Sequence, residues 1–139
     1  KMQVYLTADK LDHTGMVTDF RHLEWLKKWI NTYIDHQFII DRNDPLYDKI
    51  IGNRNLIPVC VPDTEYVAGY NVDLTGIQMD TPEYEYYEGF FVVDFVPTSE
   101  HLSSWMAKLV NEKMKALGVR VHHIDWWETP KSRSVFYTD

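Results

Sequence analysis

The chain has 139 residues and 45% hydrophobic content, which is ordinary for one globular domain. A formal net charge of −7 disfavours a nucleic-acid surface, which needs clustered Lys and Arg, and also disfavours a polybasic membrane patch. No stretch approaches the roughly 20 apolar residues of a membrane span, and the pattern of a signal peptide is lacking. The single cysteine, Cys60, permits no internal disulfide. We therefore expect one cytoplasmic domain over residues 1–139, without nucleic-acid or membrane partners.

Hydropathy patterning predicts the elements of the first half in chain order. Residues 2–8 alternate in polarity, as a half-buried strand does. Residues 11–15 have turn composition, and residues 16–19 are predicted to be extended. Apolar residues at three- and four-residue spacing predict a helix over 20–34, which Asp19 can cap. Strands are predicted over 55–61 and 90–96, with an irregular but ordered insertion at about 62–89 between them.

A second helix and two strands are predicted for the last third of the chain. The helix spans about Ser99 to Leu117, with Thr98 or Ser99 as its cap and Gly118 as its end. Strands over 119–127 and 132–137 follow it. This order of elements predicts an α+β sandwich in which two helices pack on one face of an antiparallel sheet.

Asp35 and His36 lie where the first predicted helix ends, in the segment Ile34 to Gln37. A carboxylate beside an imidazole can orient the ring and hold its proton for general acid or base catalysis. The alternative is a polar helix end in solvent. We take Asp35 and His36 as candidate catalytic residues.

Two further segments carry candidate binding residues. Glu128 ends a predicted strand before Thr129-Pro130, and a carboxylate held there can accept two parallel hydrogen bonds from an amidine-like edge. Thr98, Ser99 and Glu100 begin the second helix, where amides bind anionic or carbonyl oxygens. Plain helix capping would require the same residue types.

Two other features support no site at this stage. His122 and His123 should alternate across their strand, so that the two rings face opposite ways and cannot both bind one metal ion without help. Cys60 lies in an apolar run and is expected to be a small buried side chain rather than a nucleophile. The sequence thus predicts no metal ligands among these residues.

Four segments together resemble one known family. They are Gly15 to Phe20, Ile34 to Gln37, Pro97 to Glu100 and Trp126 to Pro130. In this order and spacing they are similar to the 6-pyruvoyl-tetrahydropterin synthase and 6-carboxy-tetrahydropterin synthase family. The resemblance implies a tunnelling fold (T-fold) that closes into a barrel as a homo-oligomer, typically a trimer stacked into a hexamer.

The resemblance also implies a function and residue roles. It implies a zinc-dependent carbon–carbon or carbon–oxygen lyase that converts 7,8-dihydroneopterin triphosphate. Asp35 and His36 would help to activate a cysteine base, Glu128 would anchor the pterin, and Thr98, Ser99 and Glu100 would contact its ring. Asp19-Phe20 and Asp44-Pro45-Leu46 favour the 6-carboxy branch, which serves queuosine and 7-deazaguanine synthesis. A 6-pyruvoyl product and a non-catalytic pterin-binding oligomer are the alternatives.

The residues of this sequence lack one part of the family pattern. The family binds zinc through one histidine on a first strand and a His-Gly-His motif at the start of the second, with the cysteine base shortly before that motif. Lys1 to Val4 resembles the part of the second strand that follows His-Gly-His. We expect that the segment with the zinc ligands and the cysteine precedes Lys1 and is not included in this sequence. The alternative is a natural variant that has discarded catalysis.

Overall fold

The computed structural model describes residues 2–9, 20–129 and 132–138. The chain divides into two compact units. The first contains Lys1–Lys27, Val61–Tyr66 and Thr98–Asp139, and the second contains Lys28–Cys60 and Val67–Pro97. In the described residues no helix is long and apolar enough to cross a membrane.

The first unit contains an antiparallel three-stranded sheet and a long helix. Strand β6 (Val119–Thr129) lies between β1 (Met2–Ala8) and β7 (Ser132–Tyr137), and helix α4 (Ser99–Met114) packs on β6 and β7. The helix buries one apolar face, which includes Trp105, Met106, Leu109 and Val110. Its last turn continues into a 3-10 turn, Lys115–Leu117. Gly118 then ends the helix in the left-handed conformation, with φ 69°.

The second unit contains a mixed four-stranded sheet in the order β2-β5-β4-β3. The strands are β2 (Phe38–Asp41), β3 (Leu56–Cys60), β4 (Val67–Val72) and β5 (Phe90–Val93). β2 runs parallel to β5, and the other neighbouring pairs are antiparallel. Two short helices, α2 (Tyr47–Ile50) and α3 (Pro82–Glu88), complete the unit. Its core includes a cluster of buried aliphatic side chains: Ile40, Ile51, Val72 and Val92.

Helix α1 (Glu24–Tyr33) follows a 3-10 turn, Phe20–Leu23. In the second unit its Trp29 ring meets the edge of the Phe91 ring, with centroids 6.1 Å apart. Phe91 in turn covers Gly69 of β4. A Cβ at Gly69 would collide with this ring and lie 2.8 Å from the Val92 carbonyl oxygen. Glycine is thus required at this position so that the aromatic layer can approach the strand backbone.

The α+β class predicted from the sequence is confirmed, and the architecture is consistent with a T-fold. The prediction of one antiparallel sheet is corrected, because the described strands form two sheets and β2 is parallel to its neighbour. β2 has only four residues, which is too short to show a period in the sequence. The segment 62–89 is not irregular throughout, since it contains β4 and the Thr81-capped helix α3. The turn at 11–15, the extended run at 16–19 and the Asp19 cap lie outside the described residues.

Candidate functional site

Asp35 and His36 lie side by side just after helix α1. The helix ends with two hydrogen bonds to the Ile30 carbonyl oxygen, from the amides of Ile34 and Asp35, at 2.9 and 2.8 Å. The His36 Nε2 atom is 3.5 Å from Asp35 Oδ2, and the two side chains are 92% and 53% exposed. The two side chains are therefore close because they are adjacent in sequence, and both are exposed at the surface.

The backbone of His36 has the left-handed conformation, with φ 63°. This conformation is uncommon for residues other than glycine and costs a histidine on the order of 1 kcal/mol or more. Strained residues of this kind cluster at functional sites, where the side chain is needed despite the strain. A left-handed residue is also common just after a helix, so the functional role of His36 stays a prediction.

A groove of about 530 Å³ lies in the second unit. It is lined from α1 and the following turn by Thr32, Tyr33 and Gln37, which flank Asp35 and His36 in sequence. Its other walls come from β3, the end of β4 and the start of β5, with the side chains of Ile57, Asn71, Asp73 and Phe90 among them. The groove thus offers an aromatic wall and several hydrogen-bonding groups.

Asp73 is charged in this groove at neutral pH. Thr75 donates to Asp73 Oδ1 from its hydroxyl at 2.7 Å and from its amide at 3.0 Å. These two hydrogen bonds, helped by the Arg54 charge, lower the pKa of Asp73 from its ordinary value of 3.8. Asp73 therefore brings a negative charge to the groove, beside the positive charge of Arg54. The sequence did not indicate this groove, because its residues come from separate elements without a shared motif.

The hydroxyls of Thr98 and Ser99 at the start of α4 make contacts within the protein. Thr98 Oγ1 accepts a hydrogen bond from the His101 amide at 3.2 Å and so caps the helix. The buried Ser99 hydroxyl is 2.7 Å from the Ser134 hydroxyl of β7 and ties the helix to the sheet. Glu100 is exposed. Thr98 and Ser99 thus have structural contacts, and their predicted contacts with a ligand stay predictions.

Glu128 lies in a β-bulge near the end of β6. Trp127 is opposite Arg133 of β7 and Thr129 is opposite Ser132, so that Glu128 is the additional residue between two paired positions. Bulges are frequent next to active sites, where they redirect a side chain. The Glu128 side chain lies outside the described part of the structure, so its burial and partners stay predictions.

A second bulge in β6 overturns the prediction for His122 and His123. Tyr5 of β1 is opposite His123 and Leu6 is opposite Val121, which leaves His122 as the additional residue. Strict alternation is lost there, and the two rings lie together, with Nδ1 atoms 2.7 Å apart. The opposite-facing arrangement predicted from the sequence is wrong because a period of two holds only in an unbulged strand.

Cys60 is exposed, contrary to the expectation of burial. It ends β3, an edge strand of the second sheet, and the register shifts between Val59 and Cys60. Val59 is buried instead. The apolar run around Cys60 did not indicate which of its residues faces the core.

The sequence-predicted residues are distributed over both units. Asp35 and His36 belong to the second unit, whereas Thr98, Ser99, Glu100 and Glu128 belong to the first. Within the first unit, the Ser99–Ser134 contact connects the start of α4 to β7, which pairs with β6 along Trp126 to Thr129. The helix start and the Glu128 bulge are thus supported by the same strand.

The fold and these segments define an α+β protein of a pterin-synthase type, and comparison with known proteins gives the family. The family described as 6-pyruvoyl tetrahydropterin synthase matches residues 1–139, and the chain belongs to this family. It is 26% identical over 139 residues to the 6-carboxy-5,6,7,8-tetrahydropterin synthase of Aquifex aeolicus, covering 97% of this chain and 68% of that protein.

A solved structure is also similar to this chain. It is the crystal structure of an uncharacterized protein from Wolinella succinogenes, at 39% identity and a TM-score of 0.81. The match covers 96% of this chain and 73% of that one.

The family resemblance implies a zinc ion, which needs several His, Cys or carboxylate ligands around one point. In residues 2–9, 20–129 and 132–138, no group of three or more His, Cys, Asp and Glu side chains is placed to hold a metal ion. The described residues therefore do not supply the family's zinc site.

Proposed function

We propose that this chain is a pterin lyase that acts on 7,8-dihydroneopterin triphosphate and forms a 6-carboxy-tetrahydropterin, in the branch that leads to queuosine and 7-deazaguanine. The observation that carries the proposal is the left-handed backbone of His36 beside the Asp35 carboxylate. Family membership and the name of the Aquifex aeolicus relative support the class of substrate.

The Asp35–His36 pair supplies a proton-transfer group. A carboxylate 3.5 Å from Nε2 favours a proton on that nitrogen, which leaves Nδ1 of the imidazole to accept a second proton. The imidazole thus takes up the proton that leaves the substrate side chain, directly or through a base next to it, and Asp35 stabilises the resulting charge. The exposed position of both groups gives a substrate access to them.

Glu128 and the start of α4 are proposed to bind the pterin ring. The ring nitrogen and amino group of a pterin form a two-donor edge, which matches the two oxygens of a carboxylate. A bulge at Glu128 interrupts the alternation of β6. Bulges can direct a side chain differently from the side chains of its neighbours. Thr98, Ser99 and Glu100 would add contacts from a helix start.

The test is incubation of the purified protein with 7,8-dihydroneopterin triphosphate and measurement of the pterin product by mass spectrometry. A product with a shortened side chain supports the 6-carboxy assignment. A product that keeps three side-chain carbons and has lost triphosphate identifies the 6-pyruvoyl alternative. Pterin binding without turnover would instead identify the non-catalytic alternative and contradict the lyase proposal.

A further inference from the structure

The bulge at His122 brings together four rings on the exposed face of the first unit's sheet. Tyr5, His123 and Tyr137 are opposite one another on the three adjacent strands, and His122 is next to them because the bulge adds a residue. Ile124, Val121 and Val119 of the same strand are buried. The ring cluster and the core thus lie on different faces of β6.

Neighbouring rings restrict the two imidazoles. The Tyr5 ring stacks on His123 with centroids 4.0 Å apart and an interplanar angle of 13°. Tyr137 lies against His123 from the other side at 5.1 Å and meets the edge of His122 at 6.1 Å. Restricting rotamers before binding reduces the entropy that a ligand must overcome.

The 2.7 Å separation of the two Nδ1 atoms fixes their chemistry. Two lone pairs at this distance repel each other, and so do two N–H groups, so that one Nδ1 must donate to the other. A cation that accepts both lone pairs can replace this shared proton. In a neutral pair, the proton of the donor ring then moves from Nδ1 to Nε2, through exchange with water, so that both rings stay neutral.

We propose that His122 and His123 form a binding site for a borderline transition-metal dication, with Zn²⁺ as its representative. Two Zn–N bonds of the usual length at a tetrahedral angle place their nitrogens about 3.3 Å apart. A small rotation of the imidazoles from the observed separation reaches that value. Imidazole is a preferred ligand of Zn²⁺, Cu²⁺ and Ni²⁺, and the remaining coordination positions would be open to water or another donor.

The cationic side chain of this strand is paired, and the chain as a whole is acidic. Arg120, on the same strand, forms an ion pair with Asp9 at 3.0 Å, which reduces its repulsion of a bound cation. The chain as a whole has a formal net charge of −7, which attracts cations to its surface. Asp35 and His36 belong to the other unit, and this proposal does not depend on the proposed lyase activity.

The first experiment is a calorimetric titration of the protein with Zn²⁺ alone, in the parent and in His122→Ala and His123→Ala. We expect one saturable site at this pair in the parent. Each single variant should bind at this site at least about tenfold more weakly, because loss of a ligand should cost no less than loss of an outer-shell partner. The control is His22→Ala, an exposed histidine elsewhere in the first unit, which should bind as the parent does.

A spectroscopic measurement on the parent does not depend on whether the variants fold. In long-range ¹H–¹⁵N spectra, Zn²⁺ should shift the Nδ1 resonances of both His122 and His123 and leave both rings in the Nε2–H tautomer. The proposal is overturned if these resonances do not move, or if both single variants bind Zn²⁺ as tightly as the parent. Lyase activity is not read in either experiment, so failure of this proposal and failure of the proposed function are distinguishable.

Discussion

At the scale of single residues, His36 has a backbone conformation that would be more stable with glycine, and yet the chain has a histidine there. Its φ of 63° is one that glycine adopts without cost, and helices often end with glycine in this conformation. A histidine here has a less stable backbone than glycine would have. The conflict is understandable if the imidazole acts on a substrate, because functional sites are where such strain persists.

Replacing His36 by glycine should therefore separate stability from activity. We expect His36→Gly to unfold at equal or higher urea concentration than the parent, with a gain of up to about 1 kcal/mol from relief of the left-handed conformation. Turnover should fall by roughly 10² to 10⁴-fold, the usual contribution of a general acid or base. The measurements are urea unfolding and the product assay.

Asp80→Gly is the matched control for this change. Asp80 is exposed, has φ 60° and lies in the same unit as His36. Its replacement should stabilise the protein slightly, since Asp tolerates the left-handed region better than most residues, and should leave turnover unchanged. Unchanged turnover in His36→Gly would contradict the catalytic role of His36 and identify it as an ordinary residue at a helix end.

Glu128 leads to a second prediction at the residue scale. Glu128→Gln keeps the side-chain volume but replaces one acceptor oxygen by a donor, opposite a pterin edge that offers two donors. We expect pterin binding to weaken by about 2 to 5 kcal/mol, the scale for disrupting a buried charged hydrogen-bonded pair. Titration of parent and variant with a pterin measures this difference. The exposed Glu83 of α3 provides the control Glu83→Gln, and equal affinity of parent and Glu128→Gln would contradict the anchoring role.

At the scale of elements, bulges in β6 determine where its side chains point. The strand has two register shifts, one at His122 and one at Glu128. Each shift interrupts the alternation of the residues that follow it, and each falls at a residue with a proposed role. Because bulges depend on pairing with β1 and β7, alternation within β6 alone did not reveal them.

Close packing of β4 against an aromatic layer leads to a third prediction. Gly69→Ala would place a methyl group into the Phe91 ring and near the Val92 carbonyl oxygen. Overpacking of this kind costs typically about 1 to 3 kcal/mol. We expect the midpoint of urea unfolding to fall accordingly.

Gly89→Ala is the control for this packing effect. A Cβ at Gly89 would meet its nearest neighbours at 3.5 Å, which is ordinary contact, and the Gly89 φ of −75° suits alanine. Its stability should remain within about 0.5 kcal/mol of the parent, as for most substitutions that disturb no contact. Equal stability of Gly69→Ala and Gly89→Ala would show that the Phe91 ring moves away without cost.

At the scale of the whole molecule, exposed strands and rings favour association of several chains. β1 and β7 are the edges of the first sheet, and β2 and β3 are the edges of the second. Phe38, Ile57 and Tyr137 are exposed on these strands. Long exposed edges are usually paired or covered in native proteins, and aromatic side chains are enriched at interfaces.

We therefore predict a homo-oligomer, with a trimer or hexamer as the expected state. Light scattering coupled to size-exclusion chromatography should give a mass that is a multiple of the 16.5 kDa chain. Replacing Ile57 of β3 by lysine should shift the distribution towards smaller species if that edge is an interface, because a charge is costly to bury without a partner. A monodisperse 16.5 kDa species in the parent would contradict the prediction.

The sequence by itself determined the elements whose signals are local. Alternation placed β1 at Met2–Ala8, and helical spacing with Thr98 and Gly118 placed α4 and its final turn. These signals depend on neighbours within a few positions of the chain. The four short segments likewise sufficed to identify the family, since their residue types and order are properties of the sequence alone.

The tertiary structure decided which side chains meet and which face solvent. The contact between His122 and His123, the bulge at Glu128 and the exposure of Cys60 all depend on strand register. The parallel pairing of β2 with β5 joins segments about 50 residues apart. Register is fixed by hydrogen bonds between strands that are distant in sequence, and a one-residue shift reverses every later side chain. Local patterns contain no such information, so this part of the site follows only from the folded structure.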